Sequence, residues 1–142
     1  METIFEAKGK MKVTHDPHDK ITYFDYEKLF TETASDTNFL HQGLEKYLER
    51  LPGIIPMKGV INDHSNAKGT LRPEDTRYIN EDFFPRVLKI VGNSDFRIAT
   101  VLSKSSISNM GNKKWKDVFS AGGVEMKNVA SKEEAQAFIL GK

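Results

Sequence analysis

The chain has 142 residues, a length typical of one domain and sufficient to bury a hydrophobic core without disulfide bonds or a structural metal. It contains no cysteine, which excludes disulfide bonds, thiolate metal sites and cysteine nucleophiles. The formal net charge of +1 is far from the strongly basic balance of a dedicated nucleic-acid-binding protein, so nucleic acid is not an expected partner.

Apolar residues nowhere form the run of about 20 that a membrane span requires, and residues 1–6 lack the features of a secretion signal. We therefore expect a cytoplasmic protein with no membrane span.

The first predicted elements are two strands. Residues 10–14 and 20–26 are rich in β-forming side chains, and residues 15–19 (His-Asp-Pro-His-Asp) between them have the composition of a turn. This pattern predicts an antiparallel hairpin. The same histidines and carboxylates could be drawn as a zinc site, but they do not supply a closed ligand set, so a solvated turn is preferred and no metal is expected.

The first predicted helix begins at residues 35–37, whose side chains can cap it, and ends at Pro52-Gly53. Its apolar stripe, spaced by three and four residues, consists of Phe39, Leu40, Leu44, Tyr47, Leu48 and Leu51. His41 lies beside this stripe and is expected at the boundary of the core. Residues 57–61 then have the pattern of a strand.

A second helical pattern extends from Pro73 to Val91, and Pro85 within it should kink or interrupt the helix. Its carboxylates could do acid–base work only if one were desolvated, so an exposed face is preferred for Glu74, Asp75, Glu81 and Asp82.

The remaining elements begin with residues 96–102, a nearly continuous apolar run that predicts a strand covered on both faces. Residues 103–119 are expected to contain one or two short helices. A last strand is predicted at 124–129, and Ser131 with Glu134 forms a capping box for a final helix.

The predicted order is β-β-α-β-α-β-α-β-α, which indicates a single α/β domain within residues 1–142, with its core at about 10–140. A hairpin followed by alternating strands and helices implies one mixed, mostly parallel sheet.

Residues 71–75 (Leu-Arg-Pro-Glu-Asp), 79–86 (Ile-Asn-Glu-Asp-Phe-Phe-Pro-Arg), 96–102 and 122–138 together resemble small bacterial STAS-like proteins, the anti-sigma-factor antagonists. They also share features with CRAL-TRIO lipid-binding domains. The resemblance implies a STAS-like fold for about residues 10–140. The family's regulatory serine lies in an Asp-Ser-Ser-Gly-like step that this sequence lacks, although Ser65 and Thr70 are nearby hydroxyls.

Two surfaces are candidates for binding. The loop after the third predicted strand lies where open α/β sheets bind ligands, and its candidate residues for a partner or ligand are Asn62, Asp63, Ser65 and Thr70. Ordinary loop polarity is the alternative. The second surface is the basic-aromatic cluster Lys113, Lys114, Trp115 and Lys116, which could contact an acidic partner, anionic lipid or nucleic acid, or simply cover the core.

The leading functional interpretation is a non-enzymatic interaction or regulatory module of STAS-like fold, without catalytic residues or cofactor, whose partner is a protein or a second copy in a homodimer. The alternative is a carrier or sensor for an apolar or lipid ligand, indicated by the aromatic residues Tyr23, Phe24, Tyr26, Phe30, Phe83 and Phe84. A second alternative is a hydrolase-like enzyme that uses Asp63 and His64, although adjacent residues rarely form a triad.

Overall fold

The fold is given by a computed structural model that describes residues 1–27, 34–67, 73–92, 96–103, 118–121 and 124–142. The strands are β1 (Glu2–Ala7), β2 (Met11–Asp16), β3 (Ile21–Tyr26), β4 (Gly59–Asp63), β5 (Arg97–Val101), β6 (Val118–Ala121) and β7 (Val124–Val129). The helices are α1 (Ala34–Arg50), α2 (Pro73–Tyr78), α3 (Phe84–Val91) and α4 (Lys132–Leu140). A 3-10 turn (Leu51–Gly53) follows α1, and a π-helical segment (Ile79–Phe83) joins α2 to α3.

The described strands form one seven-stranded sheet in the order β1-β2-β3-β4-β5-β7-β6. Strands β1, β2 and β3 pair antiparallel, strands β3, β4, β5 and β7 pair parallel, and β6 pairs antiparallel with β7. The predicted α/β class, the single mixed sheet and the hairpin of β2 and β3 are confirmed. Of the five predicted strands, β2 and β3 pair antiparallel, whereas β3, β4, β5 and β7 pair parallel. The two edge strands, β1 and β6, add antiparallel pairings.

Strand β1 was not predicted because its side-chain pattern is irregular. Ile4 and Phe5 are adjacent apolar residues, and the pairing register with β2 shifts between Thr3 and Phe5. Such an irregularity breaks the alternation of period two by which a half-buried strand is recognised.

The segment between β5 and β7 differs from the prediction at its end. Val118 and Phe119, the last residues of the segment expected to contain one or two short helices, belong to strand β6, which is not among the predicted strands. Residues 104–117 lie outside the described part of the chain.

Helices cover both faces of the sheet. Helix α1 buries its predicted stripe against one face together with α3, while α4 places Ala135 and Ile139 on the other face. Strand β5 lies between β4 and β7, and its neighbouring residues Ile98 and Ala99 belong to the cores on opposite faces. The prediction that this strand is covered on both faces is confirmed. The predicted caps at 35–37 lie inside α1, which is already helical at Ala34.

The interruption of the second helix is also confirmed. Pro85 has no N–H for the bond to the carbonyl four residues earlier, and the preceding residues form the π-helical segment Ile79–Phe83. Helix α3 restarts at Phe84 and ends at Gly92, whose φ of 62° lies in the left-handed region. Ile79, Asn80 and Phe83 of the π-helical segment line a cavity on this face of the sheet.

No helix in the described ranges has both the length and the apolar character needed to cross a membrane.

Candidate apolar binding site

A cavity of about 220 Å³ lies between the sheet and the helices α1 and α3. Its floor consists of side chains from three adjacent parallel strands, Val60 of β4, Ile98 of β5 and Met126 of β7, which are paired in register. Phe24 of β3 continues the floor. Side chains at paired positions point to the same face, so the register of the sheet creates an apolar surface.

Two helical segments close the cavity from above. Leu40, Leu44 and Tyr47 follow one another along a single face of α1, and all three are buried. Phe83 from the π-helical segment and Val87 from α3 line the opposite wall. The cavity therefore has an apolar and aromatic lining on the floor and on both walls.

Polar side chains are concentrated at one end of the cavity, which we call the mouth and define as Tyr26, Asn62, His64 and Asn80. Tyr26 ends β3, Asn62 and His64 lie at the carboxyl end of β4, and Asn80 belongs to the π-helical segment. Asn80 is exposed, while Asn62 and His64 are half-buried. The cavity thus reaches the protein surface at the carboxyl edge of the parallel strands, where open α/β sheets bind ligands.

His64 is fixed by its backbone and by its ring. Its N–H donates to the carbonyl of Val101 at 2.9 Å, and its imidazole contacts the Tyr26 ring edge-on at 5.0 Å between centroids. Burial lowers the pKa of His64 to about 4, against the opposing charge of Asp63, so the imidazole is neutral at pH 7. Burial likewise raises the pKa of Tyr26, whose phenol keeps its proton.

A chain of contacts between α1 and the segment from α2 to α3 holds the cavity wall in place. Asp75 is fully buried and lies 3.0 Å from His41 Nε2, and the His41 ring stacks on Tyr78 at 4.2 Å. The Tyr78 hydroxyl donates to Glu45 at 2.5 Å, and Arg86 binds both oxygens of Glu45 at 2.8 and 3.1 Å. These contacts fasten the π-helical segment over the cavity.

Two sequence expectations are decided by this chain of contacts. His41 lies at the edge of the core, with its side chain 41% exposed, as expected. The expected exposure of the four carboxylates is wrong for Asp75, because α1 covers it and supplies His41. Glu74, Glu81 and Asp82 are exposed as predicted.

The predicted loop residues are separated by the sheet. Asn62 lines the cavity, but Asp63 points to the other face, since successive residues of a strand alternate. Asp63 Oδ1 accepts from the backbone N–H and the hydroxyl of Ser65 at 2.9 and 2.5 Å, and Asp63 Oδ2 lies 3.6 Å from Lys132 Nζ. Thr70 lies outside the described residues. Of the three candidates that the structure describes, only Asn62 lines the cavity.

The adjacent residues Asp63, His64 and Ser65 do not adopt the geometry of a nucleophilic triad. In a triad the histidine lies between the hydroxyl and the carboxylate. Here the Ser65 hydroxyl donates directly to Asp63, and the His64 ring contacts Tyr26 on the cavity side.

The predicted hairpin turn is confirmed for its central residues. Asp16 Oδ1 accepts from the backbone N–H groups of His18 and Asp19 at 2.9 and 3.3 Å. His15 instead lies buried within β2, where its Nδ1 is 3.2 Å from the Thr22 hydroxyl, so its placement in a solvated turn is wrong. Within the described ranges, no three His, Asp or Glu side chains are close enough to hold a metal ion.

The aromatic residues that suggest an apolar ligand in the sequence include part of the cavity lining. Of the residues that suggested an apolar ligand, Phe24, Tyr26, Phe83 and Phe84 line the cavity. Tyr23 faces α4 on the other side of the sheet, and Phe30 lies outside the described residues. His64 and Asn80 also line the cavity, although no local pattern in the sequence predicts this. The basic-aromatic cluster at residues 113–116 lies outside the described residues.

Comparison with known protein families, with characterised proteins and with solved structures finds no match. The STAS-like resemblance therefore stays a prediction.

Proposed function

We propose that the protein is a binding module that holds one small apolar molecule in the cavity between the sheet and the helices α1 and α3. The observation that carries this proposal is the volume of about 220 Å³ combined with a lining that is aliphatic or aromatic except at the mouth. Ligand pockets are concave and mostly apolar, with a few polar groups that fix orientation.

The size of the cavity limits the size of the ligand. An apolar cavity of about 150 Å³ holds benzene, whereas sites for drug-sized molecules begin at about 300 Å³. The ligand therefore has about ten non-hydrogen atoms, which is a single substituted ring or a short alkyl chain. At about 0.5 kcal/mol per atom the binding free energy is about 5 kcal/mol, which corresponds to a sub-millimolar Kd.

The cellular location, the fold family and the type of partner are proposed from the sequence. The element order and the residues quoted above support a cytoplasmic, bacterial, STAS-like module, and its ligand occupancy would be recognised by a protein partner. Pairing through strand β1 is disfavoured, because this edge strand carries Glu2, Glu6 and a pairing irregularity, which are features that discourage strand addition. The hydrolase alternative stays a prediction without a supporting contact.

The proposal is tested by titrating the protein with toluene, indole, p-cresol and 1-hexanol while recording the melting temperature. A ligand at ten times its Kd stabilises the folded state by about 1.4 kcal/mol, which raises the Tm by about 4 °C in a chain of this length. We expect at least one of these molecules to produce this shift in the wild-type protein.

Two variants show whether the cavity is responsible. Val87→Phe places a larger side chain in the cavity and should abolish the ligand-induced shift. Val91→Phe makes the same change one turn further along α3, at a buried residue outside the lining, and should retain the shift. The proposal is overturned if no molecule shifts the Tm, or if Val87→Phe responds as strongly as Val91→Phe.

A further inference from the structure

We infer that the cavity selects a ligand whose polar head is uncharged, such as a phenol, an alcohol or an amide, over carboxylate and ammonium analogues of the same size. This inference rests on the proposed function and specifies the class of molecule that the site takes. It follows from two observations: the polar groups at the mouth are neutral, and the neighbouring charged groups are bound by other partners.

The polar groups at the mouth are neutral. Asn62 and Asn80 each offer an amide with donors and an acceptor, and Tyr26 offers a phenol. They come from two separate parts of the fold, the carboxyl end of the parallel strands and the π-helical segment, and line the same cavity. Their hydrogen bonds can replace those that an alcohol or amide head makes with water.

His64 is neutral as well, and its surroundings keep it so. The Tyr26 ring covers one side of the imidazole, and burial lowers the pKa of His64 to about 4. The nearest carboxylate in sequence, Asp63, points to the other face of the sheet and is bound by Ser65 and Lys132. At pH 7 the imidazole therefore presents one donor and one acceptor without a charge.

The two carboxylates in the contacts that hold the cavity wall, Glu45 and Asp75, have partners of their own. Glu45 is bound by Arg86 and by the hydroxyl of Tyr78, and Asp75 is bound by His41. No lysine, arginine, aspartate or glutamate occurs among the described residues that line the cavity. A carboxylate or ammonium head held beside Asn62 and His64, which are half-buried, would lose part of its hydration without meeting an opposite charge.

The cost of removing the head group from water determines the selectivity. Burying an unpaired charge is far more costly than burying a neutral group whose hydrogen bonds are replaced. Since a ligand of about ten non-hydrogen atoms gains only a modest binding free energy, this difference should weaken binding of the charged analogue by at least about 30-fold.

The test compares ligands that share a ring and differ in the head: p-cresol, 4-methylbenzamide, 4-methylbenzoate, 4-methylbenzylammonium and toluene. Affinities are measured by NMR chemical-shift titration at pH 7.5. We expect p-cresol and 4-methylbenzamide to bind at least about 30-fold more tightly than either charged analogue, with toluene in between.

A matched pair of variants assigns the selectivity to the mouth. Asn62→Leu should reduce the advantage of p-cresol over toluene to about twofold or less while toluene still binds. Ser65→Ala removes a hydroxyl of the same loop that is directed at Asp63 and should leave the advantage unchanged.

The outcomes separate the two proposals. If toluene and p-cresol bind but a charged analogue binds as tightly as its neutral counterpart, the inference on the head group is wrong and the proposed function stands. The inference is likewise overturned if Asn62→Leu and Ser65→Ala behave alike. If none of the five molecules binds, both proposals fail.

Discussion

At the residue scale, His64 couples the cavity to pH. Its folded-state pKa of about 4 lies below the ordinary value of 6.5, with burial as the main cause. The unfolded chain therefore takes up a proton between these two values that the folded protein does not bind. The resulting stability is fully present above pH 6.5 and is lost as the pH falls toward 4.

We predict that the free energy of unfolding contains a contribution from His64 of about 2 kcal/mol that is present at pH 7.5 and lost at pH 5.0. Urea denaturation of His64→Gln should show a correspondingly smaller loss between these two pH values. Some loss should remain, because burial also lowers the pKa of His15. His18→Gln changes an exposed histidine and serves as control; equal losses in the wild type and His64→Gln would contradict the prediction.

A second residue-scale constraint is the close approach of α4 to strand β4. A Cβ atom at Gly59 would meet the backbone carbonyl of Arg97 and would lie 2.9 Å from Ile139 Cγ2. A backbone atom cannot move aside without disturbing the pairing of β4 and β5, so glycine is required here by space.

Gly59→Ala should therefore lower the free energy of unfolding by about 2 kcal/mol. Gly53→Ala is the matched control, since its new Cβ would meet the Arg50 guanidinium and no backbone atom. That guanidinium is half-exposed and pairs with Glu2, so we expect a change below about 1 kcal/mol. Chemical denaturation measures both, and a Gly59→Ala protein as stable as Gly53→Ala would refute the requirement.

At the element scale, the segment from α2 to α3 is attached to α1 by contacts of unequal strength. The ion pair of Glu45 and Arg86 is about half exposed on both sides, and such pairs contribute little. Tyr78 is half-buried, stacks on His41 and donates to a charged carboxylate, which makes its hydrogen bond the stronger attachment.

We predict that Tyr78→Phe lowers the free energy of unfolding by about 1.5 kcal/mol, although the aromatic stack on His41 is retained. Arg86→Met should lower it by only about 0.5 kcal/mol. Urea denaturation at pH 7.5 distinguishes the two effects, and a larger loss for Arg86→Met would show that the ion pair is the main attachment.

At the scale of the whole molecule, the sheet has a protected central strand and an edge strand that is partly exposed to solvent. Strand β5 is paired on both sides and covered on both faces, whereas β1 is an edge strand whose residues are half-buried or exposed. Local opening should therefore be rare in β5 and frequent in β1.

Hydrogen exchange followed by mass spectrometry should show this gradient. Amides of residues 97–101 are expected to exchange at least about tenfold more slowly than amides of residues 2–7. Equal protection of the two strands would mean that the sheet opens as one unit, contrary to this prediction.

Much of the fold could be predicted from the sequence because the relevant signals are local. The apolar stripe of α1, the continuous apolar run of β5 and the capping serine of α4 each reflect the periodicity or the end of a single element. Pro85 predicted the interruption of the second helix, because a missing N–H has the same consequence in any helix.

The candidate site was decided by tertiary structure. The sequence indicates a polar loop at residues 62–65 but not which residue faces a cavity. Alternation along β4 places Asn62 and Asp63 on opposite faces, and the packing of α1 on one face and α4 on the other decides that Asn62 lines the cavity and Asp63 meets Lys132. Asp75 has the pattern of an exposed first turn and is buried because α1 presents His41 to it. The sequence alone determined the elements and their order, since these follow from local spacing. The cavity and its neutral mouth depend on surfaces far apart in the chain, and only the folded sheet and helices bring them together.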